Sequence, residues 1–403
     1  MGGDRMFATN LPVGQLYFPS WERYEDGMRS IFEREYYTNH GPVVQELEAR
    51  LEDLLGTRNA VTVSNATVGL YLVAKALGLA GKVMVPAFTF IATAQAMSWA
   101  GLDLVFCDVD PDTHQISSLT ADRALEGDVT AAVGVNLWGG SCDPSSLEAW
   151  AQQRNCELFF DSAQAFGCAT EKGPIGRFGR AEVFSFHATK IVSATEGGCI
   201  ATDDDDLAER IRNMRSNYGI RDARTVPLII NARMSEGQAA VALMSLDDVD
   251  RNRSHNERLQ RVYRDGLAGL PGFKIVDPAS VITTNGQYLV CEVEIDEFGL
   301  SRDALLRVLK SEGVSARRYC FPGVHRSMPY STTHPQYRET LRSTDAICAK
   351  VLQLPVGSRV SADDAARVAE LLRDAHAQAP AIRSALRTGG SGAVVPTDRR
   401  QAL

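Results

Sequence analysis

Phe184-Ser185-Phe186-His187-Ala188-Thr189-Lys190, continued by Glu196-Gly197-Gly198-Cys199-Ile200, decides how the chain is read. The short apolar run Val183–Phe186 has the length and aromatic content of a buried strand. It closes in small and polar residues and delivers one lysine. The glycine pair then turns the chain into a second apolar run, Cys199 to Ala201. A lysine between two strands is either a solvated loop residue or a chemical one, because lysine is seldom buried without a partner. The segments on either side settle which.

Upstream, strand and helix patterns alternate. A helix is expected after Pro42, where Val43, Val44, Leu47, Leu51, Leu54 and Leu55 recur at helical spacing and Gly56 stops it. Strands follow at Val61–Val63, Val83–Val85, Leu104–Cys107, Ala131–Val135 and Glu157–Phe160, with helices at Val68–Leu79, Thr89–Ala100 and Asp143–Arg154. Repeated βα units imply a mostly parallel sheet covered by helices. In such α/β sheets ligands collect at the carboxyl ends of the strands. Two features stand at those ends. Asp161 closes the strand Leu158-Phe159-Phe160, either as a turn cap or as a carboxylate facing the crevice. Ser64-Asn65-Ala66-Thr67 lies between a strand and a helix, either as an ordinary cap or as a phosphate site at a helix N-terminus.

The chain has 403 residues, long enough for two or three domains with a substantial core. The net charge of −8 argues against a nucleic-acid or anionic-membrane surface. Eight cysteines without C-x-x-C spacing, mostly inside apolar runs, are expected to be reduced thiols with no metal site. Without an apolar leader or a membrane-length run, the expected compartment is the cytoplasm. Asp203–Asp206 are expected to open a helix at Leu207–Asn217, where carboxylates suit the dipole. The helical pattern from Ser235 to Leu270 is nearly unbroken. Beyond it the pattern becomes that of a smaller α+β unit, with a final helix opening at Ser361. The expected division is an N-terminal segment 1–39, a large domain 40–250, a small domain 251–375, and a disordered tail 376–403 rich in Gly, Ser, Pro, Thr and Arg.

The ordered set of phosphate cup, aspartate and lysine fits one cofactor. Pyridoxal phosphate needs a lysine for its Schiff base, an acid beside its pyridine nitrogen and a cradle for its phosphate. Neither G-x-G-x-x-G nor a Walker loop is present, so a dinucleotide or nucleoside-triphosphate site is not supported.

Seven pieces in order carry a family resemblance. They are Thr38-Asn39-His40-Gly41-Pro42, Asn65-Ala66-Thr67, Pro86-Ala87-Phe88-Thr89-Phe90, Asp161 through Gly167, Ser185 through Lys190, Glu196-Gly197-Gly198 and Asn231 through Ser235. Over about Thr38 to Leu372 the chain resembles the DegT/DnrJ/EryC1/StrS family of pyridoxal-phosphate sugar aminotransferases. Within it the likeness is to the dTDP-4-keto-6-deoxyglucose 4-aminotransferases of bacterial deoxyaminosugar biosynthesis. The pieces Asn285-Gly286-Gln287-Tyr288 and Pro322-Gly323-Val324-His325 support this.

The resemblance implies a type I aminotransferase fold and a set of roles. Lys190 forms the Schiff base and moves the proton. Asp161 pairs with the pyridinium nitrogen, Gln164 bonds the phenolic oxygen and Phe90 stacks on the ring. Ala66, Thr67 and Ser185 hold the phosphate, and Asn231 reaches the cofactor of the neighbouring subunit in a homodimer with shared active sites. L-glutamate is the implied amino donor, and a nucleotide-linked keto-deoxysugar the acceptor. Many members carry histidine at the Gln164 position and glycine at the Ala66 position, and either residue suits the bond concerned. Dehydratase relatives have histidine in place of the lysine, which Lys190 disfavours. A 3-keto sugar nucleotide or keto-cyclitol acceptor, and a non-catalytic regulatory member, are the rival expectations. Tyr37, Asn39, Tyr218, His325 and Tyr330 are the candidate substrate contacts, with Arg317, Arg318 and Arg326 as candidate partners for a diphosphate.

Overall fold

The computed structural model describes residues 5–125, 127–216, 226 and 228–388. Its strands are β1 (Asn59–Val63), β2 (Lys82–Pro86), β3 (Asp103–Cys107), β4 (Val129–Val135), β5 (Glu157–Asp161), the short hairpin β6 (Ala169–Thr170) and β7 (Gly173–Pro174), β8 (Glu182–Ser185), β9 (Gly198–Thr202), β10 (Phe273–Ile275), β11 (Leu289–Val293) and β12 (Val351–Leu354). Seven of them form one sheet in the order β1-β9-β8-β5-β4-β2-β3. The pairs from β8 to β3 are parallel; β2, β3, β4 and β5 follow one another through helices, as expected for parallel strands, while β5 reaches β8 by way of the β6–β7 hairpin. β9 runs antiparallel to both neighbours, because it follows β8 without a crossover helix.

The side-chain alternation of the strands divides the core. Val61, Val63, Val183 and Ile200 pack on one face with Leu70, Val73 and Ile211. Ala60, Phe184, Cys199 and Ala201 pack on the other with Leu47, Leu51 and Phe186. Helices therefore cover both faces, and the strands are apolar on both sides. A three-stranded antiparallel sheet, β10-β11-β12, builds a separate core with Leu259, Tyr263, Leu305, Leu309, Val368 and Leu372. The fold class read from the sequence is the one observed. All eight cysteines are free thiols. No helix among the described residues is long and apolar enough to cross a membrane.

The N-terminal segment contains a helix, Trp21–Arg34, and its earlier residues join the small sheet's core through Phe7 and Leu11. Two expectations are corrected. The pattern Ser235–Leu270 is two helices, Glu236–Asp247 and Val249–Leu267. They part at Asp248, whose carboxylate accepts from Tyr17 at 2.6 Å and Arg23 at 2.8 Å. The disordered tail does not start at 376, because Ala379–Thr388 is helical. Pro380 falls in its first turn, where a missing N–H costs nothing, and Ile382 packs on the small core. Residues 389–403 lie outside the described residues. The acidic run behaves as expected: Asp204 caps the helix Asp205–Met214 by accepting from Leu207 at 2.9 Å.

A buried ion pair sets the position of β1. Glu48 accepts from Arg215 at 2.6 Å and from the Thr62 N–H and hydroxyl at 2.9 and 2.8 Å. Both charged side chains are 6% exposed. Burial alone raises the Glu48 pKa, but Arg215 and His40 overcome it and bring it down to about 2 from 4.5. Arg215→Met is expected to cost about 3–5 kcal/mol at neutral pH, since it strands a buried carboxylate. A depressed carboxyl pKa stabilises above its unfolded value and loses that contribution as pH falls through the folded one. The deficit measured by urea unfolding should therefore shrink between about pH 4.5 and 2. A variant as stable as the parent at pH 7 refutes the assignment.

Candidate active site

The residues singled out from the sequence come together at the carboxyl ends of β1, β5 and β8. Asn65 caps the helix Ala66–Ala76, its side chain accepting from Val68 at 2.9 Å. The cap leaves the first N–H groups of this helix, at Ala66 and Thr67, without partners inside the helix. β9 approaches from the side: a Cβ on Gly198 would stand 2.9 Å from the Ala66 nitrogen and 2.8 Å from the Phe184 carbonyl oxygen. The Glu196-Gly197-Gly198 turn thus supplies a glycine where helix and sheet press closest. Ser185, half-buried, ends β8 beside this turn.

Asp161 ends β5 and is 7% exposed. Its Oδ2 accepts from the Thr93 hydroxyl at 2.7 Å and its Oδ1 from the Ala163 N–H at 3.2 Å. Burial pushes its carboxyl above the ordinary 3.8, against the pull of Thr93, Ala163 and the Lys190 charge. Such a carboxylate is poised for a cationic N–H partner. Gln164, 4% exposed, accepts from the Trp138 backbone N–H at 2.9 Å through Oε1. A backbone N–H can only donate, so this bond fixes the amide's orientation and leaves its NH₂ as the free donor.

Lys190 follows β8 in a loop clamped on both sides. Gln287 accepts from the Ile191 N–H at 2.7 Å and donates to the Thr189 carbonyl at 2.9 Å. Gln15 donates its backbone N–H to the same carbonyl at 3.0 Å. The half-buried Lys190 Nζ meets the Tyr288 hydroxyl at 3.1 Å. Burial raises the Tyr288 pKa, and Tyr319 bonds to it. Asn285 donates to the carbonyls of Gln164 and Phe166 at 3.0 and 3.1 Å. Asn285-Gly286-Gln287-Tyr288, noted in the sequence only for its likeness, therefore holds the lysine loop and the Gln164 turn together. Thr93 and Trp138 carry no sequence signal of their own, and Tyr288 only its place in that piece; all three arrive from distant segments.

The outer candidates divide. Phe90 caps the helix Ile91–Trp99 and is 45% exposed, and Asn231 is exposed. Tyr37 and Asn39 are exposed, with Asn39 in the left-handed region at φ +65°. His325 and Tyr330 are buried, at 1% and 3% exposed; His325 lies 3.1 Å from Asp345 and Tyr330 3.1 Å from Ser98. Arg326 pairs with Asp345 and Arg318 with Asp303, while Arg317 has no carboxylate partner among the described residues. Tyr218 lies outside the described residues.

The match to known proteins agrees with this geometry. Residues 22–373 match the DegT/DnrJ/EryC1/StrS aminotransferase family. The chain is 32% identical over 363 residues to a dTDP-4-amino-4,6-dideoxy-D-glucose transaminase of Shigella dysenteriae, covering 90% of this chain and 98% of that protein. It is 28% identical over 372 residues to the Escherichia coli transaminase of the same name, covering 91% and 99%. Among solved structures, DesI in the presence of its TDP-sugar product superposes with a TM-score of 0.90 at 39% identity, covering 96% of this chain and 97% of that one. The chain belongs to the DegT/DnrJ/EryC1/StrS aminotransferase family, and its cofactor is pyridoxal phosphate. The residues present fit that group: a buried carboxylate in need of a cation, an amide with its NH₂ free, a helix N-terminus and an amine reach one crevice.

Proposed function

We propose that this aminotransferase moves an amino group from L-glutamate to C4 of dTDP-4-keto-6-deoxyglucose, giving the 4-amino-4,6-dideoxy sugar nucleotide. The step belongs to deoxyaminosugar formation in natural-product biosynthesis, including antibiotics, in the cytoplasm. The observation that carries the chemistry is Lys190 Nζ, 3.1 Å from Tyr288 and beside the buried Asp161 at the sheet's carboxyl edge. The likeness to DesI and to the two transaminases supports the substrate.

Bound in this crevice, pyridoxal phosphate supplies a carbonyl carbon that takes up amino groups and a ring that accepts the electron pair released at the substrate carbon. The chain's residues do the rest. Ala66 and Thr67 present N–H groups, and Ser185 a hydroxyl, to the phosphate. Asp161 holds the ring nitrogen in its protonated form, and the Gln164 NH₂ donates to the ring oxygen. Phe90 covers one ring face. Lys190 is the acid and base that moves a proton at the substrate carbon. The Tyr288 hydroxyl accepts from the Lys190 ammonium and donates to the free amine, so the side chain is held in place in both states. Arg317, without a carboxylate partner among the described residues, is the cation open to the anionic substrates.

The protein works as a homodimer in this reading. Asn231 is exposed in a single chain and reaches the partner's cofactor, and the exposed Trp21 and Phe32 on the first helix suit a protein interface. Residues 40–250 form the cofactor-binding domain and 251–375 the domain that closes over it.

The test is a panel of keto sugar nucleotides incubated with glutamate and the purified holoenzyme, read by mass spectrometry. The 4-keto-6-deoxy substrate is expected to gain an amino group while glutamate becomes its keto acid. Amination of a 3-keto isomer or a keto-cyclitol, with none at the 4-keto sugar, refutes the positional assignment.

A further inference from the structure

A line of buried hydrogen bonds runs from the small sheet to the crevice. Glu292 on β11 places Oε1 2.7 Å from His114 Nε2, and Oε2 3.0 Å from Lys350. On the other side of the ring, His114 Nδ1 lies 3.2 Å from the Trp138 indole nitrogen. An indole N–H can only donate, so Nδ1 is the acceptor, and the ring is neutral with its proton on Nε2 facing Glu292. The Trp138 backbone N–H then donates to Gln164 Oε1 at 2.9 Å. His114 is fully buried and Trp138 is 2% exposed.

Two further observations mark this line as a built device. His114 and Trp138 both adopt φ +62°, a left-handed conformation that is rare and strained for bulky residues. Such strain persists only where the surroundings over-determine it. The indole also packs edge-on against Phe88, Tyr288 and Tyr319, with centroids 6.0, 5.9 and 5.2 Å away. Trp138 therefore touches both the amide that faces the cofactor and the tyrosine that holds Lys190. Apolar packing alone tolerates small rotations, whereas these bonds are directional.

We propose that Glu292, His114 and Trp138 form a positioning relay, through which the placement of the small sheet sets the Gln164 amide and the wall behind Tyr288. This rests on the assignment of Gln164 to the cofactor's ring oxygen. None of the three touches the reacting atoms; they act through Gln164 and Tyr288.

His114→Phe keeps a ring and deletes both bonds. In the purified holoenzyme it is expected to move the midpoint of the pH titration of the visible cofactor band by about half a unit or more. The cofactor dissociation constant should rise about tenfold, and kcat fall about tenfold with KM for glutamate within about twofold. Glu292→Gln keeps an acceptor for Nε2 and should stay within about threefold of the parent. Trp138→Phe should reproduce His114→Phe, and the double variant should add little to either. Should His114→Phe fail to fold, Trp138→Phe decides, since it deletes the indole N–H bond and keeps a smaller ring against Phe88, Tyr288 and Tyr319 and the backbone N–H bond to Gln164. Variants that lose thermal stability yet keep the parent's band titration and kcat overturn the relay and leave a packing role. A parent protein that takes up no pyridoxal phosphate overturns the Gln164 assignment and the relay with it; a coloured parent with unchanged variants overturns the relay alone.

Discussion

Replacing Lys190 with alanine is expected to lower turnover by about four orders of magnitude or more while leaving the protein folded. The size of the effect follows from the two duties of one amine. In the proposed mechanism it is both the nucleophile that anchors the cofactor and the acid and base at the substrate carbon. General acid–base catalysis alone is worth about 10²–10⁴. Stability should hardly change, because Lys190 is half-buried and gives up one side-chain bond, to Tyr288. A single such bond is worth about 0.5–1.5 kcal/mol net. Borohydride should fix the cofactor covalently to the parent at Lys190 and leave the variant unlabelled, as peptide mass analysis would read. Steady turnover by the variant, at even a tenth of the parental rate, removes Lys190 from both duties.

The frame around this lysine was accessible from the sequence because it is built of local signals. Strands buried on both faces show as short apolar runs, and Gly56, Pro86 and the caps at Asn65 and Asp143 punctuate them. Asp161 closes such a run, and Lys190 and Ala66–Thr67 follow one; each alone leaves an ordinary role open, and it is their order along the chain, with the family resemblance, that marks them. The residues that hold them are another matter. Thr93 reaches Asp161 across 68 residues and Tyr288 reaches Lys190 across 98. No local pattern encodes a contact of that range. Composition misleads at the end of the chain. The glycine-rich end of the chain pulls the expected boundary to 376, ahead of a helix whose apolar side, Ala379 and Ile382, finds the small core.

Asp161→Asn is expected to separate the demands of catalysis from those of folding. Without a cation opposite it, the Asp161 carboxyl is buried and its pKa lies above the ordinary 3.8. The sign follows directly. An acid whose folded pKa is raised gives up stability as pH rises from its unfolded value through its folded one. The cofactor-free parent therefore carries an unfavourable buried charge at neutral pH, which an asparagine side chain removes. The amide oxygen of that asparagine also keeps an acceptor for one of the two bonds from Thr93 and Ala163. Cofactor-free Asp161→Asn should be as stable as the parent or more so at pH 7, with the difference fading below about pH 4. In the holoenzyme the order reverses. In the proposed arrangement the carboxylate faces a protonated ring nitrogen, and a charge-assisted bond is worth about 1.5–3 kcal/mol. Its loss weakens cofactor binding about tenfold to a hundredfold and removes the stability that binding adds. The same change leaves the ring nitrogen without its proton, so the ring is a poorer acceptor of electrons when Lys190 withdraws the substrate proton. A fall in kcat of about 10²–10⁴ follows, measured at saturating cofactor so that weaker binding does not enter. Thermal unfolding of both forms, set beside single-turnover rates, tests the two halves together. A variant that loses stability without cofactor, or that turns over like the parent once saturated, contradicts a carboxylate held there for the cofactor's charge.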